Sequence, residues 1–240
     1  LARELSVRRA VNLMRERTGK MDIQLKDVRA FDNALWNDWK GSSAGSTGGK
    51  MLQVIASEEL GGRFRTEAGH SNKYRIDKAT SIDDVNRLHA NTGGYEGAKA
   101  YVRAKWETTQ YMLDRAGVHT LKLYRGIGSK AARESGGEPV KPSEMTKAYE
   151  KLPNAVLQRN GLISTTTKAS VANGWGSSED RVVLRVIVPR TAVLSVPAYG
   201  INVHSEKEVV VAGTAWKAWS AWAGEAPDYS TLPEHDHEKP

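Results

Sequence analysis

Two carboxylates stand two positions apart in residues 201–211, INVHSEKEVVV, directly before a run of three valines. This composition favours a β-strand over a helix, and side chains alternate between the two faces of a strand. Glu206 and Glu208 are therefore expected on one face, with Val209 and Val211 on the other, toward the core. Taken alone, the pattern is that of a solvated strand start. A carboxylate pair becomes a site for chemistry only if other segments supply partners in a cleft.

Two earlier segments offer such partners. Residues 120–126, TLKLYRG, alternate as a strand that ends in Arg125, and an arginine there either leaves the core or meets an anion. Gly126 has no side chain, so a ligand is able to approach its backbone. Residues 160–167, NGLISTTT, end a second predicted strand with four hydroxyl side chains, of which Ser164 is the first. Hydroxyls at a strand end commonly bond local backbone or cap the next helix, so this segment alone does not establish a site.

The order Arg125, Ser164, Glu206, Glu208 resembles the Arg-Ser-Glu signature of the mono-ADP-ribosyltransferases, in the branch whose last motif is Glu-x-Glu. The resemblance covers roughly residues 95–219. It implies an enzyme of bacterial-toxin or phage-associated type, a secreted effector or phage-carried protein that acts in a target-cell cytoplasm. It also implies an α+β fold, with a helical N-terminal part followed by a two-sheet β core around an NAD cleft.

The resemblance assigns a role to each of these residues. Glu208 stabilises the oxocarbenium-like sugar that forms when nicotinamide leaves NAD, and Glu206 positions the acceptor and helps to remove its proton. Ser164 holds Glu208 in place, while Arg125 and Gly126 bind NAD. NAD is the substrate, and no metal is required. The remaining implied residues are Thr165, Thr166 and Trp175 for NAD binding and Tyr199 for acceptor recognition, with Thr166 at a position where the family commonly has serine.

The acceptor is expected to be a protein arginine, because a carboxylate is a natural partner for a guanidinium group. The chain carries 35 Lys and Arg against 28 Asp and Glu, a net charge of +7, so modification of RNA or DNA is an alternative. A third alternative is a non-catalytic, transferase-like module of a phage structural protein, which the intact set of motif residues argues against. Nothing in the sequence decides between protein and nucleic acid. An immunity or antitoxin protein is a further expected partner.

The chain is predicted to have three parts: a helical appendage over residues 1–50 with a Gly/Ser linker at 41–49, a catalytic domain over 51–224 and an acidic tail over 225–240. Residues 1–20 hold six basic and two acidic groups (+4), and residues 225–240 hold five acidic and one basic group (−4). Helices are expected over residues 27–39, 95–116 and near 143–152, and later strands over 181–188, 192–196 and 214–219. Helices followed by strands predict an α+β class. The start at Leu1 indicates a processed product or a piece of a longer chain.

Other sequence patterns do not indicate a hydrolase, a phosphate loop, a metal site or a membrane span. Residues 41–45 spell G-x-S-x-G around Ser43, but no buried strand precedes them, as a hydrolase elbow requires. Residues 48–51, GGKM, lack the magnesium-binding Ser or Thr of a phosphate loop. The absence of cysteine excludes disulfides and thiolate metal sites, and no apolar run approaches the roughly 18 residues of a membrane span. His70 and His89 have no partner at metal-ligand spacing.

Overall fold

A computed structural model describes residues 2–41, 47–61, 64, 85–86, 89–127, 162–174, 182–197, 207–212 and 218–223. Over these residues the chain is a mixture of helices and antiparallel strands, which confirms the predicted α+β class. None of the helices within these ranges is long and apolar enough to cross a membrane. The helices are α1 (Ala2–Thr18), α2 (Leu25–Gly41), α3 (Thr47–Leu60), α4 (Gly94–Arg115) and the short α5 (Ala169–Gly174).

The strands are β1 (Thr120–Ile127), β2 (Leu162–Thr166), β3 (Val182–Pro189), β4 (Val193–Ser195), β5 (Glu208–Ala212) and β6 (Ala218–Ala223). They lie in one six-stranded sheet in the order β4-β5-β2-β1-β3-β6. Strands β1 and β3 pair along their whole length. Strands β1 and β2 pair at a single position, with Tyr124 opposite Thr166. The sheet therefore consists of two three-stranded halves that meet at a short seam.

The long helices and most strands lie close to their predicted positions. Helix α4 ends before Gly117, whose φ of +67° lies in the left-handed region that favours glycine as a helix stop. Helix α3 begins at Thr47, inside the predicted linker. Strand β6 extends to Ala223, four residues beyond the end predicted at 219. Residues 42–46 of the linker, the helix near 143–152 and the acidic tail lie outside the described residues.

The helices at the start of the chain pack into the same hydrophobic cluster as the sheet. Met14 of α1, Trp36 of α2, Tyr101 of α4, Leu123 of β1 and Val210 of β5 are all buried members of it. The sequence predicts an appendage over residues 1–50, yet the apolar faces of α1 and α2 are covered by this shared core. The division of the chain into domains stays a prediction.

Two arginines of α1 form ion pairs with other helices. Arg9 lies 2.7 Å from Glu107 of α4, and Arg17 lies 2.7 Å from Glu59 of α3. Arg103 of α4 also binds Glu59, at 2.8 Å. Burial alone raises the pKa of Glu59, but hydrogen bonds from Arg17 and Arg103 outweigh it and hold this pKa below its usual value. Part of the positive charge of α1 is therefore matched by carboxylates of this protein.

A buried polar network joins α2 to α4. Asp32 and Lys105 are almost fully buried, with Lys105 Nζ 3.3 Å from Asp32 Oδ1. The Tyr101 hydroxyl donates to the same carboxylate oxygen, and the Trp36 indole N–H donates to the Tyr101 oxygen at 2.8 Å. Because a buried charge without a partner is costly, these contacts favour one relative placement of the two helices.

Gln53 ties α3 to β2. Its Nε2 donates to the Leu162 carbonyl at 2.8 Å, and the Leu162 N–H donates to its Oε1. Gln53 is fully buried, so it satisfies both backbone polar groups of Leu162 where water does not reach them. The side chain thereby fixes the beginning of β2 against the helical layer.

We expect Gln53→Ala to lower the free energy of unfolding by about 2–4 kcal/mol, because it leaves the N–H and C=O of Leu162 buried without their partner. Urea denaturation followed by circular dichroism measures the loss. Gln24→Ala is the matched control, since the Gln24 amide bonds the Asp22 carbonyl at an exposed position and its loss should cost under about 0.5 kcal/mol. Equal losses in the two variants would contradict the clamping role of Gln53.

Candidate active site

Three strands bring Arg125, Ser164 and Glu208 to the seam of the sheet. Arg125 lies on β1, Ser164 on β2 and Glu208 at the start of β5. The register places Thr166 opposite Glu208 on one side and opposite Tyr124 on the other. Residues that are far apart in sequence therefore meet at the point where the two halves of the sheet join.

Hydrogen bonds connect these three residues into one chain. The Ser164 hydroxyl donates to Oε1 of Glu208. The Arg125 guanidinium donates to the backbone carbonyl of Ser164. The Glu208 carboxyl is buried, with 4% of the residue exposed, whereas Arg125 and Ser164 are half-buried. Ser164 is thus a direct partner of Glu208, and Arg125 is connected to Glu208 through Ser164.

A residue that the sequence analysis did not select also binds Glu208. The indole N–H of Trp39, near the end of α2, donates to Oε1 of Glu208 at 2.9 Å. Trp39 stands 169 positions earlier in the chain, and its side chain is buried. In the sequence it belongs to an apolar helical stripe, so it reads as a core residue. The sequence feature that could have indicated a polar partner is the indole N–H, because a buried indole usually requires an acceptor.

The two threonines after Ser164 are buried, and their hydroxyls bond the protein backbone. The Thr165 hydroxyl donates to the Val209 carbonyl at 2.7 Å. The Thr166 hydroxyl accepts from the Lys168 N–H at 3.1 Å, next to the start of α5. These contacts are the local structural roles that hydroxyls at a strand end commonly have. A contribution of either threonine to NAD binding stays a prediction.

The backbone between the two motif glutamates is not an extended strand. Strand β5 begins at Glu208, and Lys207 has a φ of +46° in the left-handed region. The expected placement of Glu206 and Glu208 on one face stays a prediction, because only Lys207 and Glu208 of this motif are described. Glu206, Trp175 and Tyr199 lie outside the described residues. Gly126 lies on β1 opposite Val183, and its contact with NAD stays a prediction.

The site presents a carboxylate of fixed orientation inside a shielded environment. Burying a carboxylate is costly unless donors satisfy it, and Ser164 and Trp39 supply two donors to one oxygen. A carboxylate fixed before the reaction begins is a group suited to stabilising positive charge that develops beside it. Within the ranges that the structure describes, no three His, Asp or Glu side chains are grouped so that they could hold a metal ion.

Comparisons with family models, curated proteins and solved structures give no match to this chain. Two features of the chain itself bear on its function. One is the resemblance of three short motifs in their order along the sequence. The other is the contact geometry that connects Arg125, Ser164 and Glu208 in the fold.

We expect Glu208→Gln to be more stable than Glu208→Ala by about 1–3 kcal/mol. Both variants remove the buried charge, but only the glutamine keeps an oxygen that accepts from Ser164 and Trp39. Chemical denaturation of the two variants measures the difference. If the alanine and glutamine variants unfold at the same denaturant concentration, hydrogen bonds from Ser164 and Trp39 to the side chain at position 208 do not stabilise the fold.

Proposed function

We propose that the chain is an NAD-dependent mono-ADP-ribosyltransferase that transfers ADP-ribose to a macromolecular acceptor, with a protein arginine as the leading acceptor. The observation that carries the proposal is the hydrogen-bonded connection of Arg125, Ser164 and Glu208 at the seam of the sheet. Each motif alone is short, and three of them brought into contact by three separate strands form a much more restrictive pattern. The donors on Glu208 also argue against the inert-module alternative, because an inert module needs no buried carboxylate at this point.

The proposed reaction breaks the glycosidic bond between nicotinamide and the ribose of NAD. The bonding electron pair leaves with nicotinamide, and positive charge develops on the sugar, as in glycoside cleavage. Glu208 stabilises that charge and bonds a ribose hydroxyl. A guanidinium nitrogen of the acceptor then forms the new bond to the sugar carbon and loses a proton, which Glu206 accepts. Water in place of the acceptor gives NAD hydrolysis as a side reaction.

Arg125 binds the phosphate-bearing side of NAD in this proposal, and Gly126 offers backbone groups to the carboxamide of nicotinamide. Arginine suits the first role because its planar guanidinium binds phosphate oxygens with two donors. Half-burial of Arg125 and its bond to the Ser164 carbonyl support this assignment, since they fix the side chain on the residue that bonds Glu208 while part of it stays accessible.

The proposal includes a division of the sheet into two parts around an NAD cleft. The family arrangement has two sheets around an NAD cleft, and the single pair between β1 and β2 supports it, because the halves β4-β5-β2 and β1-β3-β6 are joined at one position. Trp175 is proposed to contact nicotinamide, and Tyr199 is proposed to contact the acceptor together with Glu206. An immunity or antitoxin partner and action in a target-cell cytoplasm remain part of the same proposal.

We expect Glu208→Gln to reduce nicotinamide release and ADP-ribose transfer by at least about 100-fold, because the amide cannot supply the negative charge that the sugar needs. Incubation with ³²P-labelled NAD and cell lysate measures transfer. Glu107→Gln on α4 is the charge-matched control, since Glu107 pairs with Arg9 in the helical layer, and it should label as wild type does. Undiminished labelling by Glu208→Gln would reject the proposed site. If nuclease releases the label and protease does not, the acceptor is a nucleic acid and not a protein.

We expect Glu206→Gln to lose transfer to arginine while it keeps part of the NAD hydrolysis, because the acceptor's proton has no base but the sugar still meets Glu208. Transfer to an arginine analogue such as agmatine and release of free ADP-ribose are measured in the same reaction. Equal loss of both activities would show that Glu206 is not an acceptor-binding residue.

A further inference from the structure

Trp39 lies on a helix that the motifs of the proposed enzyme do not include, yet it contacts the central carboxylate of the site. We infer that Trp39 is a positioning residue for the proposed reaction, which holds Glu208 through the hydrogen bond from its indole N–H. The inference rests on the proposed function. It adds α2, in the predicted appendage, to the elements on which the reaction depends.

The Trp39 indole differs from an ordinary core side chain because its N–H donates to the carboxylate of Glu208. Trp39 and Ser164 both donate to Oε1 of Glu208, one from α2 and the other from β2. A single donor leaves the carboxylate able to rotate about that bond, whereas donors from two separate elements restrict its side-chain torsions. Oriented donors that are already in place before the reaction lower the reorganisation that the charged group must undergo.

The indole of Trp39 is itself held in place by its neighbours. The Trp36 and Trp39 rings meet edge to face, with centroids 6.1 Å apart and planes at 71°. The Trp36 N–H donates to Tyr101 at 2.8 Å, and the Tyr101 hydroxyl donates to the buried Asp32. Trp39 therefore packs against a ring that belongs to the α2–α4 network, and this contact restricts the orientation of its indole.

The expected effect of removing this bond is on turnover and not on NAD affinity. Trp39 bonds the carboxylate and is not one of the proposed NAD-binding groups, so a variant without the N–H keeps those groups but loses the fixed orientation of Glu208. A hydrogen bond to a charged group is strong enough that its loss should lower kcat by about 10- to 100-fold. The KM for NAD should stay within about twofold of the wild-type value.

The test uses the full chain with Trp39 replaced in two ways. Trp39→Phe removes the N–H together with part of the ring. Replacement of Trp39 by 3-benzothienylalanine removes the N–H and keeps the size of the ring, so it separates hydrogen bonding from packing. Trp106 receives the same two replacements as a control, because its indole N–H also donates one hydrogen bond, to the Thr191 carbonyl at 3.3 Å, away from Glu208. Nicotinamide release gives kcat and KM for NAD, and thermal unfolding of every variant reports its stability.

A loss of kcat in the folded benzothienylalanine variant at position 39, with KM and the Trp106 variants near wild type, supports the inference. Wild-type kcat in that variant overturns it and leaves the proposed function standing. Equal losses at positions 39 and 106 also overturn it, because they indicate a general effect of the substitution. Absence of NAD cleavage by the wild-type protein rejects the proposed function itself. If Trp39→Phe does not fold, the isosteric variant decides the question.

Discussion

The burial of one carboxylate is the constraint on which the rest of this structure depends. Glu208 enters the interior at the start of β5, and an ionised group there is tolerated only when donors replace the water it has lost. Strand β2 supplies one donor through Ser164, and helix α2 supplies another through Trp39. The sheet alone does not provide both. The helical layer must therefore pack on the sheet at a defined position. The other buried polar contacts of the core help to fix that position.

The main effect of those polar contacts is to select one relative placement of the helices. Hydrophobic packing of α1, α2 and α4 is tolerant of small shifts, since apolar contacts have no strong directional preference. The pair of Asp32 and Lys105 is less tolerant of such shifts, because separation would break an ion pair between two buried charges. Gln53 has the same effect between α3 and β2, where it satisfies both polar groups of Leu162. The orientation of the Glu208 carboxylate is thus the result of contacts made as far away as α4.

The sequence was sufficient for the parts of the site that obey local rules. Arg125 ends an alternating apolar segment, Ser164 follows two apolar residues, and their order before Glu208 carries the resemblance, so the sequence selects all three as candidates. Trp39 and Gln53 are not selected, because each is one polar group on an otherwise apolar helical face and its partner lies more than 100 positions away. Periodicity assigns such residues to the core, which is correct, but it does not identify the acceptor. The order of helices and strands in the sequence predicts the α+β class. It does not predict that β1 pairs with β2 at one position.

A turn at Lys207 lies directly before Glu208, the first residue of β5. A non-glycine residue in the left-handed region costs about 1 kcal/mol, so the surrounding structure must hold it there. The Thr167 N–H donates to the Lys207 carbonyl at 3.3 Å, which ties this turn to the segment that follows β2. The same two segments carry Ser164 and Glu208. The turn that precedes Glu208 is therefore tied to the segment that follows β2, so the contact between Ser164 and Glu208 is made by two segments that are also bonded to each other through their backbone.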